Sequence, residues 1–339
     1  MTAAAAMVRV EGLCKRFSVP RREAGLRAAL RALVRREYRV VEAVRDLEFS
    51  LAPGERVGFL GPNGAGKTTT LKMLAGLIVP SAGRVEVAGF TPSDRRPEFL
   101  RRVSLVMGQK RQLSWDLPAI DNFEFNRVVY EIDPVHYKRR LEELTALLDV
   151  GEVMRRPVRQ LSLGERMKCE LVAALLHGPQ VLFLDEPTIG LDVSMQLGIR
   201  EFIRRYNAEH GATVILTSHY MEDVAALCPR ILVIDGGRLR FDGSIEALRR
   251  QIRPLRRVSV RAAALPDDPT AMGRVVLREG GRLVLDVAPE RVPEVVGALV
   301  ALPEAQDLAV HDAPLEEVMR ALFGREEAAD LGGAIGHAR

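Results

Sequence analysis

Cysteine is scarce in this 339-residue chain: Cys14, Cys169 and Cys228 are three in number, far apart and in no CxxC pair. That pattern excludes a disulfide framework and a four-cysteine zinc site, and it leaves three reduced thiols. Long apolar runs are absent too. No stretch reaches the ~18 to 20 consecutive apolar residues that a bilayer-spanning helix needs, and the opening MTAAAAMVRVEG has no basic region followed by an apolar core. A chain that stays in the cytosol is expected. Net charge is small, +4, and uneven: residues 21–39 hold seven arginines against Glu23 and Glu37, so the remainder is close to neutral. A nucleic-acid binder spreads basic charge along a binding face, and no nucleic-acid partner is expected here. With 47% hydrophobic and 28% charged residues, the composition fits one large globular domain plus a small one and does not fit extended disorder.

Apolar alternation at Val8-Arg9-Val10 predicts a first strand, and an extended region runs from Val41 toward Leu51. Between them Leu26, Ala29, Leu30, Leu33 and Val34 fall on one helical face, opposite Arg27, Arg31 and Arg35, which predicts an amphipathic helix over 21–39. The apolar face must pack on something. The arginines are either a solvated surface or a contact with anionic lipid or an acidic partner.

Arg56–Leu60 reads as a short strand leading into a glycine-rich loop and then a helix that ends at Gly76. Residues 119–150 and 165–177 read as helical, and Val181–Leu184, Val214–Leu216 and Ile231–Ile234 as buried strands. Strands alternating with helices imply an α/β fold with a mainly parallel core sheet and an antiparallel portion near the N-terminus. Past Arg253-Pro254 the pattern changes to short strands at Val258–Val260, Val275–Leu277 and Leu283–Val287, with helices at Pro293–Val300 and Leu315–Phe323. The expected organisation is one domain over 8–250, with a helical subdomain at about 110–178, a small α+β domain over 255–324, and a frayed tail over 325–339.

Gly61-Pro62-Asn63-Gly64-Ala65-Gly66-Lys67-Thr68 matches GxxxxGK[ST] in full, between a strand and a helix, which is the context of a P-loop. Glycines let successive backbone N–H groups turn toward phosphates at a helix N-terminus. Lys67 neutralises the β- and γ-phosphates, and the Thr68 hydroxyl ligates Mg²⁺. Thr69 follows in the same nucleotide-binding run. Val181-Leu182-Phe183-Leu184-Asp185-Glu186 is an apolar strand ending in two acids, where the first carboxylate supports Mg²⁺ and the second polarises an attacking water. A strand that merely exits to solvent also ends this way, so the pair gains its meaning from the P-loop upstream.

Leu161-Ser162-Leu163-Gly164-Glu165 lies just before a helix, with Ser162 23 residues ahead of Asp185. It resembles the LSGGQ signature of ATP-binding cassette (ABC) ATPases, with Leu163 in place of the first glycine and Glu165 in place of glutamine. The longer run LSLGERMKCEL is similar in particular to the ABC-2 type exporter branch that includes viologen and multidrug exporters. The resemblance implies that Ser162 and Gly164 clamp the γ-phosphate of ATP held by a partner's P-loop, and a plain N-cap role for Ser162 is compatible with it. It further implies that Gln109, 42 residues after Lys67, is the Q-loop glutamine touching Mg²⁺, that Asp192 is the D-loop aspartate at the dimer interface, and that His219 is the switch histidine.

Phe17 stands where the family usually keeps an aromatic against adenine, with Tyr38 as a competitor and a core position as the plain alternative. Trp115, the single tryptophan, falls in the region that adjoins the membrane subunit in this family, and core packing is the alternative.

The resemblance covers residues 8 to about 250 and implies an ATPase that binds ATP and Mg²⁺. It would work as a dimer with integral membrane permease subunits, peripheral on the cytoplasmic face of the membrane. Glu186 would be the general base. One chain carries every motif, so a homodimer suffices. An ABC-type ATPase without a membrane partner is the rival reading. Only 93 residues separate Lys67 from Leu161, with no heptad run, which leaves no room for the coiled coils of repair members, and one cassette is present where translation members have two. A P-loop kinase or GTPase has no use for the signature. A binding module that does not hydrolyse has no use for Glu186 and His219.

Overall fold

The long apolar-polar alternation of the first and second strands closes them into a hairpin. β1 (Val8–Pro20) pairs antiparallel with β2 (Tyr38–Leu51), and β1 also pairs with β4 (Ala82–Val87), giving a three-stranded sheet of order β2-β1-β4. The computed structural model describes residues 6–20 and 38–323. The amphipathic helix expected over 21–39 lies outside the described residues except at Tyr38 and Arg39, which belong to β2. The tail over 325–339 also lies outside them.

Short runs, apolar on both faces in the central strands, form the main sheet, as expected of strands covered on two sides. It comprises β3 (Arg56–Leu60), β5 (Val103–Met107), β6 (Val181–Asp185), β7 (Thr213–Thr217), β8 (Arg230–Asp235) and β9 (Arg238–Gly243), in the order β5-β6-β7-β3-β8-β9. The pairs from β5 through β8 are parallel. Phe49 of the first sheet meets Phe59 of the second with ring centroids 6.0 Å apart, and the core between the sheets includes Leu13, Leu47, Phe183 and Leu74. Leu74 belongs to α1 (Lys67–Leu74), the helix that follows the P-loop.

The stretch 119–150 divides into α2 (Ala119–Val129) and α3 (Pro134–Leu148), rather than one helical run. The break has a local cause. Glu131 takes a left-handed φ of 53°, and Asp133 caps α3 by accepting from the Val135 and His136 amides at 3.0 and 3.1 Å, with Pro134 in the first turn. α4 (Leu163–Leu175) starts two residues earlier than expected because Ser162 is its N-cap. α5 (Val193–His210) has Asp192 as its N-cap and buries Ile199, Phe202, Ile203 and Tyr206 at helical spacing, and α6 (Met221–Leu227) follows β7. Among the described residues, no helix is long and apolar enough to cross a membrane.

The chain divides into two units, Met1–Asp242 and Gly243–Arg339. Consequently α7 (Ile245–Ile252), expected inside the first domain, groups with the second. The second unit contains an antiparallel sheet of order β11-β12-β10-β13, formed by β10 (Arg256–Arg261), β11 (Arg274–Glu279), β12 (Arg282–Val287) and β13 (Gln306–Asp312). α8 (Val292–Val300) completes a core of Val258, Val260, Leu283, Leu285, Val295 and Leu299, and a further helix, α9, spans 315–323.

One buried acid conflicts with its surroundings. Glu170 of α4 is 1% exposed, and neither carboxylate oxygen makes a hydrogen bond of normal geometry. The Arg166 guanidinium stands 3.5 Å away. Burial pushes the Glu170 carboxyl up to about 7, with Arg166 and the Gln112 amide pulling the other way. Because the folded value lies above the unfolded one, the native state binds more protons between them, and stability declines as pH rises from about 4.5 toward 7. Glu170→Gln is therefore expected to gain on wild type by on the order of 2 kcal/mol between pH 5 and pH 8. Urea unfolding at the two pH values measures this, and a pH-independent difference would refute it.

Candidate active site

Parallel register builds the site. Met107, Asp185 and Thr217 stand abreast at the C-terminal ends of β5, β6 and β7. The residues just beyond these ends, Gly108-Gln109, Glu186 and Ser218-His219, are therefore delivered to one place. This is the edge where ligands bind in open α/β sheets.

The P-loop meets the same edge. Gly66, the N-cap of α1, has φ 103°, and a Cβ there would lie 2.4 Å from the Ala43 carbonyl, so only glycine fits. No side chain caps α1 and no acidic residue lies in its first turn, which leaves its first N–H groups for an anion. The Lys67 ammonium, 7% exposed, donates to the Gly61 and Pro62 carbonyls at 2.6 and 2.9 Å. Burial holds Lys67 below the usual lysine value, while Glu186 and Asp185 pull it up.

The carboxylates of Asp185 and Glu186 have different partners. The Thr68 hydroxyl donates to Asp185 Oδ2 at 2.9 Å, and the Thr217 hydroxyl donates to Oδ1 at 2.7 Å. Glu186 sits at φ 56°, in the left-handed region, with its amide donating to Thr217 Oγ1 at 3.1 Å. Such a conformation at a bulky residue is sustained only by surrounding contacts. Gln109 Nε2 donates to Glu186 Oε2 at 2.9 Å, and His219 Nε2 lies 2.7 Å from Oε1. The chain passes so closely here that a Cβ on Gly108 would stand 2.0 Å from the Glu186 carbonyl oxygen.

A second group forms where α4 and α5 begin. Ser162 caps α4 in a capping box: its Oγ accepts the Glu165 amide at 3.2 Å, and Glu165 Oε2 accepts the Ser162 amide at 2.8 Å. Those bonds hold the Glu165 carboxyl below the usual range, helped by Arg156. Asp192 caps α5 by accepting the Met195 amide at 2.9 Å. Met195 packs over Gly164, and Leu163 packs over Gly190, so the signature turn and the Asp192 loop fit into each other. Among the described residues, no hydrogen bond joins Ser162, Gly164 or Asp192 to the P-loop.

Phe17 is half-buried on β1 opposite Val41, under the Lys15 ammonium at 5.0 Å from its ring, and is not a core residue. Tyr38 is exposed at the far end of the hairpin. Trp115 is also partly exposed, with the Arg111 guanidinium 3.8 Å from its ring.

Sequence reasoning misses two contributors. Thr217 bonds both acids, and its one signal is its place two residues before His219. Asp223 is fully buried and accepts from Thr188, from Ser218 at 2.8 Å and from Arg200 at 2.5 Å, which braces the segment that carries His219.

Comparison with known proteins gives the family and the fold. The model of the ABC transporter family matches residues 44–189. The ABC transporter ATP-binding protein NatA of Bacillus subtilis (strain 168) is 37% identical over 210 residues, 62% of this chain and 85% of that protein. The daunorubicin resistance ATP-binding protein DrrA3 of Streptomyces coeruleorubidus is 32% identical over 302 residues, 85% and 93% of the two chains. The linearmycin resistance ATP-binding protein LnrL of B. subtilis is 31% identical over 310 residues, 86% and 97%. In fold, the chain resembles a solved dimer of the cassette MJ0796 bound to ADP and Pi, with TM-score 0.59 and 22% identity over 70% of this chain and 98% of that one.

The approach of Gly108 to Glu186 yields a test. Gly108→Ala must push the Gln109 strand end away from Glu186. ATP hydrolysis, measured by phosphate release, is expected to fall at least tenfold, roughly 1.4 kcal/mol or more in barrier, with far-UV circular dichroism unchanged. Full activity in that variant would show that the contact between Gln109 and Glu186 is dispensable.

Proposed function

Because the chain belongs to the ABC transporter ATP-binding proteins, we propose that two copies close head to tail over two molecules of ATP and reopen after hydrolysis, driving the membrane subunits of an exporter. The observation that carries this reading is the convergence of Gln109 and His219 on the Glu186 carboxylate, one residue beyond the Asp185 that holds Thr68.

The donor set suits a hard divalent cation. Thr68, Asp185 and the Gln109 amide oxygen are oxygen ligands of the type Mg²⁺ takes, and they flank the P-loop where the phosphates would lie. Mg²⁺ bound there supplies positive charge to the β- and γ-phosphate oxygens. Lys67 and the first N–H groups of α1 bind the same phosphates from the protein side. Glu186 takes the proton of the attacking water, and its two oxygens are oriented for that by Gln109 and His219. His219 also positions the γ-phosphate. Phe17 stacks on the adenine.

Ser162 and Gly164, with Asp192 beside them, serve the ATP of the partner copy. Their hydrogen bonds are spent on their own helix caps, and among the described residues none reaches the P-loop of the same chain, which supports this division. A cavity of about 690 Å³ beside β5 and α2, lined by Leu77, Leu100, Phe125, Val129 and Tyr130, supports a membrane-subunit contact, with Phe125 66% exposed. Export is favoured by the similarity to proteins named for daunorubicin and linearmycin resistance. The subunit then works at the cytoplasmic face of the membrane.

Glu186→Gln is expected to bind ATP, hydrolyse it at least a hundredfold more slowly, roughly 2.7 kcal/mol, and elute as an ATP-dependent dimer in size-exclusion chromatography. Wild-type turnover would remove Glu186 from the role of base. In a second experiment Ser162→Arg and Lys67→Ala are each inactive alone, and mixing them restores part of the activity through one intact composite site. Normal hydrolysis by Ser162→Arg as a monomer would overturn the head-to-tail arrangement.

A further inference from the structure

We propose that the second unit carries a binding site for a small polyvalent anion, bearing phosphate or carboxylate charge, in the cleft between its sheet and α9. The cleft has a volume of about 390 Å³ and is walled by Arg253, Arg257, Arg274, Arg320 and Glu317, with Val275 and Val276 on its apolar side. Ligand sites begin at roughly 300 Å³.

Strand register gathers the charges. Asp286 of β12 pairs with Arg257 of β10 on one side and with Arg274 of β11 on the other. Residues paired across antiparallel strands share a face, so the three stand in a row on the face opposite Leu283 and Leu285. Arg253, just past the end of α7, and Glu317 of α9 join that row.

Two of the four arginines are fixed. Arg257 grips Glu317 with two parallel bonds of 2.7 and 2.8 Å and reaches Asp286 at 3.0 Å. Arg253 bonds Asp286 and Glu317, each at 2.5 Å. Asp286 itself is 2% exposed. These bonds hold the Glu317 carboxyl below its usual range, Arg257 first among the causes. The guanidinium groups are thus set in place before any ligand arrives, which lowers the ordering cost of binding.

The other two arginines are not neutralised. Arg274 and Arg320 are exposed at the cleft, and among the described residues neither makes an ion pair. Among the described residues, four guanidinium groups face two carboxylates, which leaves this cleft two positive charges in excess. Planar, bidentate donors of this kind match phosphate and carboxylate oxygens. Nothing in the hydrolytic site uses these residues.

The test uses the full chain with ADP and Mg²⁺ saturating the P-loop, titrated with inorganic pyrophosphate in a calorimeter at physiological ionic strength. One saturable event is expected, with Kd below about 1 mM, weakened tenfold or more in Arg274→Gln/Arg320→Gln. It should be unchanged in Arg291→Gln, which removes an arginine of the same unit outside the cleft. Either single substitution repeats the test should the pair disturb folding. Flotation with phosphatidic acid vesicles distinguishes a lipid headgroup from a soluble anion: binding there that is lost in the double variant supports the same site with a lipid source. Absence of saturable binding to both probes overturns the proposal. So does binding that survives in the double variant, or an equal loss in Arg291→Gln, which would mean diffuse attraction.

Discussion

The alignment of three parallel strands is the constraint on which the site depends. Hydrogen bonding across β5, β6 and β7 places Met107, Asp185 and Thr217 at one level, so the residues after them have no choice of neighbours. Asp185 takes hydroxyl donors from Thr68 and Thr217, and Glu186 takes nitrogen partners from Gln109 and His219. Shifting any one strand by a single residue would turn its side chains to the opposite face and dissolve the group. The four apolar residues Val181–Leu184, each buried, fix that register by packing on both sides of the sheet.

The chemistry is legible in the sequence because it resides in short motifs whose residue types, at that spacing, suit few other roles. Gly61–Thr68 announces a phosphate loop by its spacing alone, and the acids at the end of an apolar strand acquire a role once that loop is known. Gln109 and His219 carry no local signal and are placed by resemblance. Their convergence on Glu186 is a tertiary fact. Thr217 and Asp223 stay hidden for the same reason, since a threonine at a strand end and an aspartate in a helix are ordinary in sequence.

Fold elements are hard to read where polarity and period disagree. β13, Gln306–Asp312, is only partly covered, so its apolar residues are few, and β9 alternates at an edge. The break between α2 and α3 is marked by Asp133-Pro134, a cap signal masked by the leucine spacing that follows. In the second unit, the gathering of Arg257 and Arg274 around Asp286 depends on strand order, and arginines at such distances along the chain give no hint of it in linear sequence.

The capping box at Ser162 has a consequence for repeated use. A hydroxyl accepts and donates at once. Ser162 accepts the Glu165 amide with a lone pair, and its proton remains available to a second acceptor. The helix therefore does not have to fray when an anion is engaged, nor re-form when it is released. An aspartate at this position would hold the helix equally well and offer no proton, so serine is the residue with which a permanent scaffold could also serve, in the proposed closed dimer, as a reversible contact.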